Sequence, residues 1–182
     1  MERAKILTAE QLNRMYKRFA HQFLEPFDDP SNLAIIGMQT RGVFMAKRII
    51  EEINDSFDLN PDFGVLDTTF FRDDFRTKDV MPSVKVTEIP FDLDGRDIIL
   101  VDDVLFTGRT IRSAMDAIIG YGRPKSIKLC CMVDRGHREL PVIADIIGLT
   151  IPTHSTEEVR VMVKELDGED AVYLVEGKEE QA

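Results

Sequence analysis

The chain has 182 residues, a net charge of −10 and 43% hydrophobic residues. This length and composition predict a single globular domain over residues 1–182. The negative charge disfavours a general nucleic-acid binder, because such proteins gain most of their affinity by neutralising phosphates. No apolar stretch has the length of a membrane span, and the N-terminus has no apolar signal region, so we expect no membrane partner and a cytoplasmic location.

The N-terminal half alternates apolar segments with helical patterns. Thr8 followed by Gln11 is typical of a capping box, and apolar residues recur at helical spacing after it. A buried strand is predicted at 33–38, then a polar turn at 39–42 and an amphipathic helix. Residues 65–74 predict a strand of mixed pattern. The charged segment 72–83 predicts a mobile loop, with a strand around 84–89 that can form a hairpin.

The C-terminal half continues the alternation. Buried strands are predicted at 97–101, 127–133 and 144–148, and a helix between the first two ends at Gly120 or Gly122. Segments 159–163 and 172–175 are predicted to finish the sheet. This order predicts an α/β fold with a central, mostly parallel sheet flanked by helices.

Three polar segments, QTRG, DDVLFTGRT and DRGHRELP, directly follow apolar strands. Parallel sheets bind ligands at the carboxyl ends of their strands. We therefore expect these three segments to converge at one edge of the sheet and to form the functional site.

The stretch ILVDDVLFTGRT, residues 99–110, combines groups that attract anions with groups that repel them. Its last part precedes a predicted helix, whose exposed N–H groups and positive end attract anions. This part consists of Thr107, Gly108, Arg109 and Thr110. The adjacent carboxylates of Asp102 and Asp103 repel anions but can bind a metal ion or vicinal hydroxyls. A ligand with a phosphate at one end and hydroxyls or a metal at the other satisfies both. The spacing and lysine of a Walker loop are absent.

This stretch resembles the phosphoribosyl pyrophosphate signature of type I phosphoribosyltransferases. With TRG, FRDD and VDRGHRELP, the chain is similar over most of its length to the PyrR family, pyrimidine operon regulators that are also uracil phosphoribosyltransferases. The resemblance implies the type I phosphoribosyltransferase fold with a small hood and a flexible lid loop. It also implies a homo-oligomer, a dimer or larger.

The resemblance assigns a role to each segment. The 107–110 loop would hold the 5′-phosphate, and Asp102 and Asp103 would take the ribose hydroxyls, directly or through Mg²⁺. The pyrophosphate loop, which in this family often carries a cis peptide, would consist of Thr40, Arg41 and Gly42. Arg72 and Arg76 of the lid would close over pyrophosphate. Asp102, Asp103 and Arg41 are therefore the catalytic candidates, and the acidic pair is the candidate Mg²⁺ site.

The resemblance also indicates which base is bound. Purine enzymes of the superfamily usually carry an aspartate just before the loop threonine, where this chain has Phe106. Phenylalanine cannot accept a proton, but it can pack against a base. A pyrimidine could pair with backbone groups around Val133 and Asp134. We expect uracil and phosphoribosyl pyrophosphate as substrates and UMP as a product. A purine phosphoribosyltransferase is one alternative; a binding-only protein is disfavoured because all the matched motifs are intact.

The family's second activity, the binding of pyrimidine operon leader mRNA with UMP as co-regulator, is the other alternative for the main function. Positions that family members use for RNA carry Arg18, His21, His137 and Arg138. In contrast, Ile143 and Leu149 stand where members carry basic residues. Each phosphate contact that is lost weakens binding to RNA.

Overall fold

A computed structural model describes residues 3–27, 29–69 and 86–176 of the chain. The predicted lid at 72–83, with Arg72 and Arg76, lies outside the described residues. The elements in chain order are β1 (Arg3–Leu7), α1 (Ala9–Leu24), a 3₁₀ turn (Pro30–Asn32), β2 (Leu33–Met38), α2 (Arg41–Phe57), β3 (Asp62–Leu66), β4 (Asp97–Leu105), α3 (Arg109–Tyr121), β5 (Ser126–Asp134), β6 (Ile146–Thr150), β7 (Glu157–Met162), α4 (Lys164–Asp167) and β8 (Ala171–Glu176).

Five strands form a central sheet in the order β3-β2-β4-β5-β6. All of its pairings are parallel. Successive side chains of a strand point to opposite faces. Ile35 of β2 therefore packs into the core with α1 and α2, whereas Ile36 and Met38 pack into the core beneath α3. The predicted α/β architecture, a parallel sheet with helices on both faces, is confirmed.

The start of α1 and the end of α3 agree with the capping signals in the sequence. The Thr8 hydroxyl accepts from the Gln11 N–H at 3.4 Å, and the Gln11 side chain accepts from the Thr8 N–H at 2.8 Å. This reciprocal pair is the predicted capping box of α1. Helix α3 ends at Tyr121, before Gly122, as predicted. Among the described helices, none is both long enough and apolar enough to cross a membrane.

The prediction that 159–163 and 172–175 finish the central sheet is wrong. Strands β7 and β8 pair antiparallel with each other, and β8 pairs antiparallel with β1, a strand that was not predicted from the sequence. These three strands form a separate small sheet. Val159, Val161 and Val172 of this small sheet pack into the same core as α1 and α2. Strand β1 has only five residues, too few for a reliable periodic signal in the sequence. Its Leu7 is buried in the same core.

Strand β4 is longer than predicted. It continues past 101 to Leu105 because its partner β5 continues beside it, with Asp102 opposite Cys131 and Leu105 opposite Asp134. Asp102 and Asp103 therefore lie within a paired strand and not in a loop. Helix α2 likewise begins at Arg41, inside the predicted turn. The candidate catalytic side chains thus project from regular elements, which hold them more rigidly than a loop would.

Candidate active site

The three polar segments converge as expected. They follow β2, β4 and β5, and β4 lies between the other two in the sheet. At this edge the backbones approach closely: a Cβ on Gly42 would lie 2.3 Å from the Val101 carbonyl oxygen. On the other side, the Leu140 N–H donates to the Thr107 carbonyl at 3.1 Å. The three polar segments therefore lie side by side at the carboxyl edge of the central sheet.

The acidic pair occupies the centre of this edge. The Asp103 N–H donates to Asp102 Oδ1, and the Val104 N–H donates to Asp103 Oδ1, each at 2.9 Å. Asp102 is buried and Asp103 is half-buried. Burial raises the pKa of the Asp103 carboxyl above its ordinary value, and the Val104 N–H and the positive charge of Arg41 oppose this rise. The site thus holds two carboxylates whose orientations are set by the backbone.

The loop after β4 is the candidate phosphate site. Gly108 adopts a left-handed conformation with φ of 89°, and α3 begins at the next residue. The loop lines a cavity of about 260 Å³ together with Asp102 and Glu139. The Arg109 guanidinium donates to the Glu139 carboxylate at 2.5 Å. With that side chain held by Glu139, the main-chain N–H groups and the threonine hydroxyls of the loop are the groups suited to a phosphate.

The segment after β2 supplies a cation. The Gln39–Thr40 peptide bond is cis, as the resemblance implied. Arg41 donates two hydrogen bonds to the carboxylate of Asp167, from Nη2 at 2.8 Å and from Nε at 3.2 Å. Arg41, Asp103 and Asp167 border a second cavity, of about 470 Å³. Asp167 was not predicted as a site residue, because it lies in the four-residue helix α4 and no sequence motif there links it to Arg41.

The base-binding candidates lie beside the loop. The Phe106 side chain is 40% exposed. The Arg135 guanidinium lies 4.0 Å from the centre of the Phe106 ring, and the His137 ring approaches that ring edge-on at 6.1 Å. Cation–π contact of this kind orients an aromatic ring. One side of Phe106 is therefore occupied by a fixed cation, and the exposed remainder of the ring is available to a planar base.

The backbone around Val133 and Asp134 is engaged in the sheet. Val133 is buried within β5. The Asp134 carbonyl accepts from the Ile151 N–H at 2.9 Å, and the Arg135 N–H donates to the Leu105 carbonyl at 3.1 Å. The Asp134 carbonyl oxygen can still accept one more hydrogen bond through its second lone pair. Pairing of a pyrimidine with this segment is therefore compatible with the sheet, and it stays a prediction.

Comparisons with known proteins decide the family. The phosphoribosyl transferase domain family matches residues 3–165. The chain is 47% identical over 170 residues to the bifunctional protein PyrR of Elusimicrobium minutum, covering 93% of this chain and 95% of that protein. Against the bifunctional protein PyrR of Thermus thermophilus, identity is 47% over 174 residues and coverage is 96% of each. The chain belongs to the PyrR family. The resemblance drawn from its motifs is confirmed.

A solved structure supports the fold. The hypoxanthine-guanine phosphoribosyltransferase of Bacillus anthracis matches this PyrR family member with a TM-score of 0.69 and 18% identity, covering 96% of this chain and 99% of that one. The type I phosphoribosyltransferase fold is therefore confirmed. At this identity the likeness concerns the fold alone. The alternative of a purine enzyme has less support than membership in the PyrR family, which rests on far higher identity.

Two of the four RNA-binding candidates lie beside the candidate active site. Arg138 donates to the Phe106 carbonyl at 2.7 Å, to the Val142 carbonyl at 2.9 Å and to the Asp134 carboxylate at 2.5 Å. The His137 ring nitrogen Nε2 lies 2.7 Å from the Thr153 carbonyl oxygen. The guanidinium of Arg138 thus joins the segment after β5 to the start of the phosphate loop.

The other two candidates lie on α1, on the face exposed to solvent. Arg18 donates to the carbonyls of Ile147 and Gly148, each at 2.9 Å, and so ties α1 to the edge strand β6. The His21 ring packs edge-on against Phe57 at 4.9 Å. Structure thus separates the four positions into two groups, one beside the phosphate loop and one on the outer face of α1.

Proposed function

We propose that this chain transfers the phosphoribosyl group from phosphoribosyl pyrophosphate to uracil, giving UMP and pyrophosphate. The observation that carries the proposal is the acidic pair and the phosphate cradle at the end of β4, with Arg41 across from them, in a member of the PyrR family. In this arrangement the 107–110 loop takes the 5′-phosphate, and Asp102 and Asp103 take the ribose hydroxyls. Thr40, Arg41 and Gly42 receive the pyrophosphate end.

The geometry suits a reaction in which the bond to pyrophosphate breaks before the bond to uracil is complete. Positive charge then develops on the ribose ring, and fixed negative charge beside the ring stabilises it. Asp102 and Asp103 supply that charge, and their backbone hydrogen bonds orient them in advance. Negative charge develops on the departing pyrophosphate, and the cation of Arg41 is suited to receive it.

The donor set fits Mg²⁺ that arrives with the substrate. The described parts of the chain contain no group of three or more His, Cys, Asp or Glu residues able to hold a metal ion. Mg²⁺ is usually bound by one or two carboxylates together with substrate phosphates and waters. Asp102 and Asp103 would provide the protein's share of such a site. When bound, the ion neutralises the charge of the pyrophosphate.

A substrate panel tests the proposed activity. We expect steady-state turnover with uracil and none with hypoxanthine or guanine, because Phe106 offers an aromatic surface and no proton acceptor to a purine. Orotate and cytosine are assayed alongside them to compare the pyrimidines. The purified full chain is assayed with phosphoribosyl pyrophosphate and Mg²⁺, and UMP is quantified. Turnover with a purine alone would contradict the proposal and the role of Phe106.

We propose RNA binding as a second function, supported by the basic face of α1 and by the family's bifunctional members. The exposed residues of this face are Arg14, Lys17, Arg18 and His21. Single-stranded RNA loops are recognised by splayed bases and phosphate contacts, so a small basic face suffices. The partner would be the leader mRNA of a pyrimidine operon, with UMP as the co-regulator.

Removing basic groups from α1 is expected to weaken RNA binding. Lys17→Ala should lower the affinity for leader RNA and reduce the slope of log K against log[salt] by about 1, and His21→Ala should lower the affinity. A gel-shift titration at two salt concentrations measures both quantities. The matched control is Arg112→Ala, because Arg112 is exposed on α3, across the sheet from α1. Salt-insensitive binding, or an equal loss in the control, would remove this function.

We further propose that the chain acts as one domain and assembles into homo-oligomers. Exposed apolar side chains at Ile119, Tyr121 and Ile143 offer surface for contacts between copies. Light scattering of the purified chain across a concentration series measures its mass, and a monomer at all concentrations would contradict the oligomer.

A further inference from the structure

Arg41 is anchored from outside the pyrophosphate loop. Its Nε and Nη2 both donate to the carboxylate of Asp167. Two parallel hydrogen bonds to one carboxylate set the plane of a guanidinium as well as its distance. Nη1 makes no hydrogen bond to the described residues. The anchor therefore restricts the orientation of Arg41 while leaving one of its nitrogens for another acceptor.

Asp167 is itself held in place. Its Oδ2 accepts from the Val163 N–H at 2.9 Å, and its own N–H donates to the Val163 carbonyl at 2.8 Å. The side chain is only 13% exposed. A carboxylate buried to this extent needs charged or N–H partners, and here Arg41 and the start of α4 provide them. The anchor is therefore rigid on both sides.

The helix that carries Asp167 is fastened to α2 by a second arginine. Arg48 lies two turns along α2 from Arg41 and pairs with Glu165 at 2.7 Å and with Asp170 at 2.8 Å. The connection between β7 and β8 is thus clamped to α2 at two points. Only the clamp at Arg41 borders the cavity that also contains Asp103.

We propose that Asp167 is a positioning residue that orients the Arg41 guanidinium toward the pyrophosphate end of the substrate. This inference rests on the proposed function, because it assigns a task to Arg41 in the same site. Asp167 does not touch the substrate; it acts through Arg41. The connection between β7 and β8 of the small sheet therefore contributes to the reaction, because its Asp167 carboxylate pairs with Arg41 of the pyrophosphate loop.

Asp167→Asn tests the assignment, because the amide keeps the shape and removes the charge. We expect the Kd of pyrophosphate with Mg²⁺, measured by calorimetry on the full chain, to rise about 10-fold. The KM for phosphoribosyl pyrophosphate should rise by the same factor, with the KM for uracil unchanged. In an Arg41→Gln background the substitution should have no further effect, because the residue through which it acts is gone. Asp167→Glu, which restores the charge, should recover part of the affinity.

Glu165→Gln is the matched control. It makes the same change of charge on the same helix, but its partner is Arg48, so pyrophosphate affinity should stay at the wild-type value. Unchanged or tighter pyrophosphate binding in Asp167→Asn, an equal loss in Glu165→Gln, or a full loss in the Arg41→Gln background would overturn the inference. The calorimetric readout does not need turnover. A wild-type chain that binds pyrophosphate but does not convert uracil would therefore remove the proposed function and leave the role of Asp167 to be decided on its own.

Discussion

Asp103→Asn is expected to lower kcat for UMP formation by about 10²- to 10³-fold, the usual loss when one fixed electrostatic group is removed from a transition state. The amide is nearly identical in shape but carries no negative charge to stabilise the ribose ring. The Val104 N–H that donates to the carboxylate can still donate to an amide oxygen. Steady-state rates with saturating uracil and phosphoribosyl pyrophosphate measure the effect.

The same substitution should leave the fold at least as stable. Burial raises the pKa of the Asp103 carboxyl, which means that the folded chain disfavours the ionised form relative to the unfolded chain. The ionised Asp103 carboxyl therefore lowers the free energy of unfolding as the pH rises above its unfolded-state pKa. A neutral amide avoids that cost. We expect the Tm near neutral pH to be unchanged or higher, measured by calorimetry.

Asp116→Asn provides the control for Asp103. Asp116 is exposed on α3 and pairs with Arg112 at 3.0 Å, outside both cavities. Its kcat should equal that of the wild type. A wild-type kcat in Asp103→Asn would contradict the ribose role, and a large fall in Tm would show that the carboxylate supports the fold and not only the reaction.

Gly42→Ala is expected to damage both stability and activity. The added Cβ would meet the Val101 carbonyl oxygen at 2.3 Å, and that oxygen belongs to the β4 backbone, which pairing holds on both sides. Helix α2 must then shift away from β4. Forced overpacking of this kind costs about 1–3 kcal/mol in the free energy of unfolding, and a displacement of about 1 Å between Arg41 and the acidic pair can lower kcat by about 10²-fold. Urea denaturation and steady-state assays measure the two effects.

Gly120→Ala is the matched control for this prediction. Gly120 lies within α3, and a Cβ there meets nothing within 4 Å. Alanine is the better helix former, so the free energy of unfolding should rise by about 0.4–1 kcal/mol and kcat should stay unchanged. Wild-type activity and stability in Gly42→Ala would show that the pyrophosphate loop tolerates displacement from β4.

Local sequence patterns were sufficient to predict most of the central sheet and the candidate phosphate loop. The capping box, the apolar runs of β2, β4 and β5 and the glycine after α3 are each determined by residues close together in the chain. The order of these elements then places their carboxyl ends at one edge, since parallel strands joined by helices all run the same way. The predicted β4 and α2 were too short. Strand pairing and packing extend both elements, and neither can be read from the local sequence of one segment.

The sequence alone identified the acidic pair and the candidate phosphate loop, because their groups lie within one stretch, residues 99–110. It identified the PyrR family through that stretch together with TRG, FRDD and VDRGHRELP. Tertiary structure decided the rest. It built the small sheet from β1, β7 and β8, it placed Asp167 against Arg41, and it directed Arg138 to the carbonyls of the site. These contacts join residues far apart in the chain, with no periodicity or motif in common, so only the packing of the folded chain brings them together.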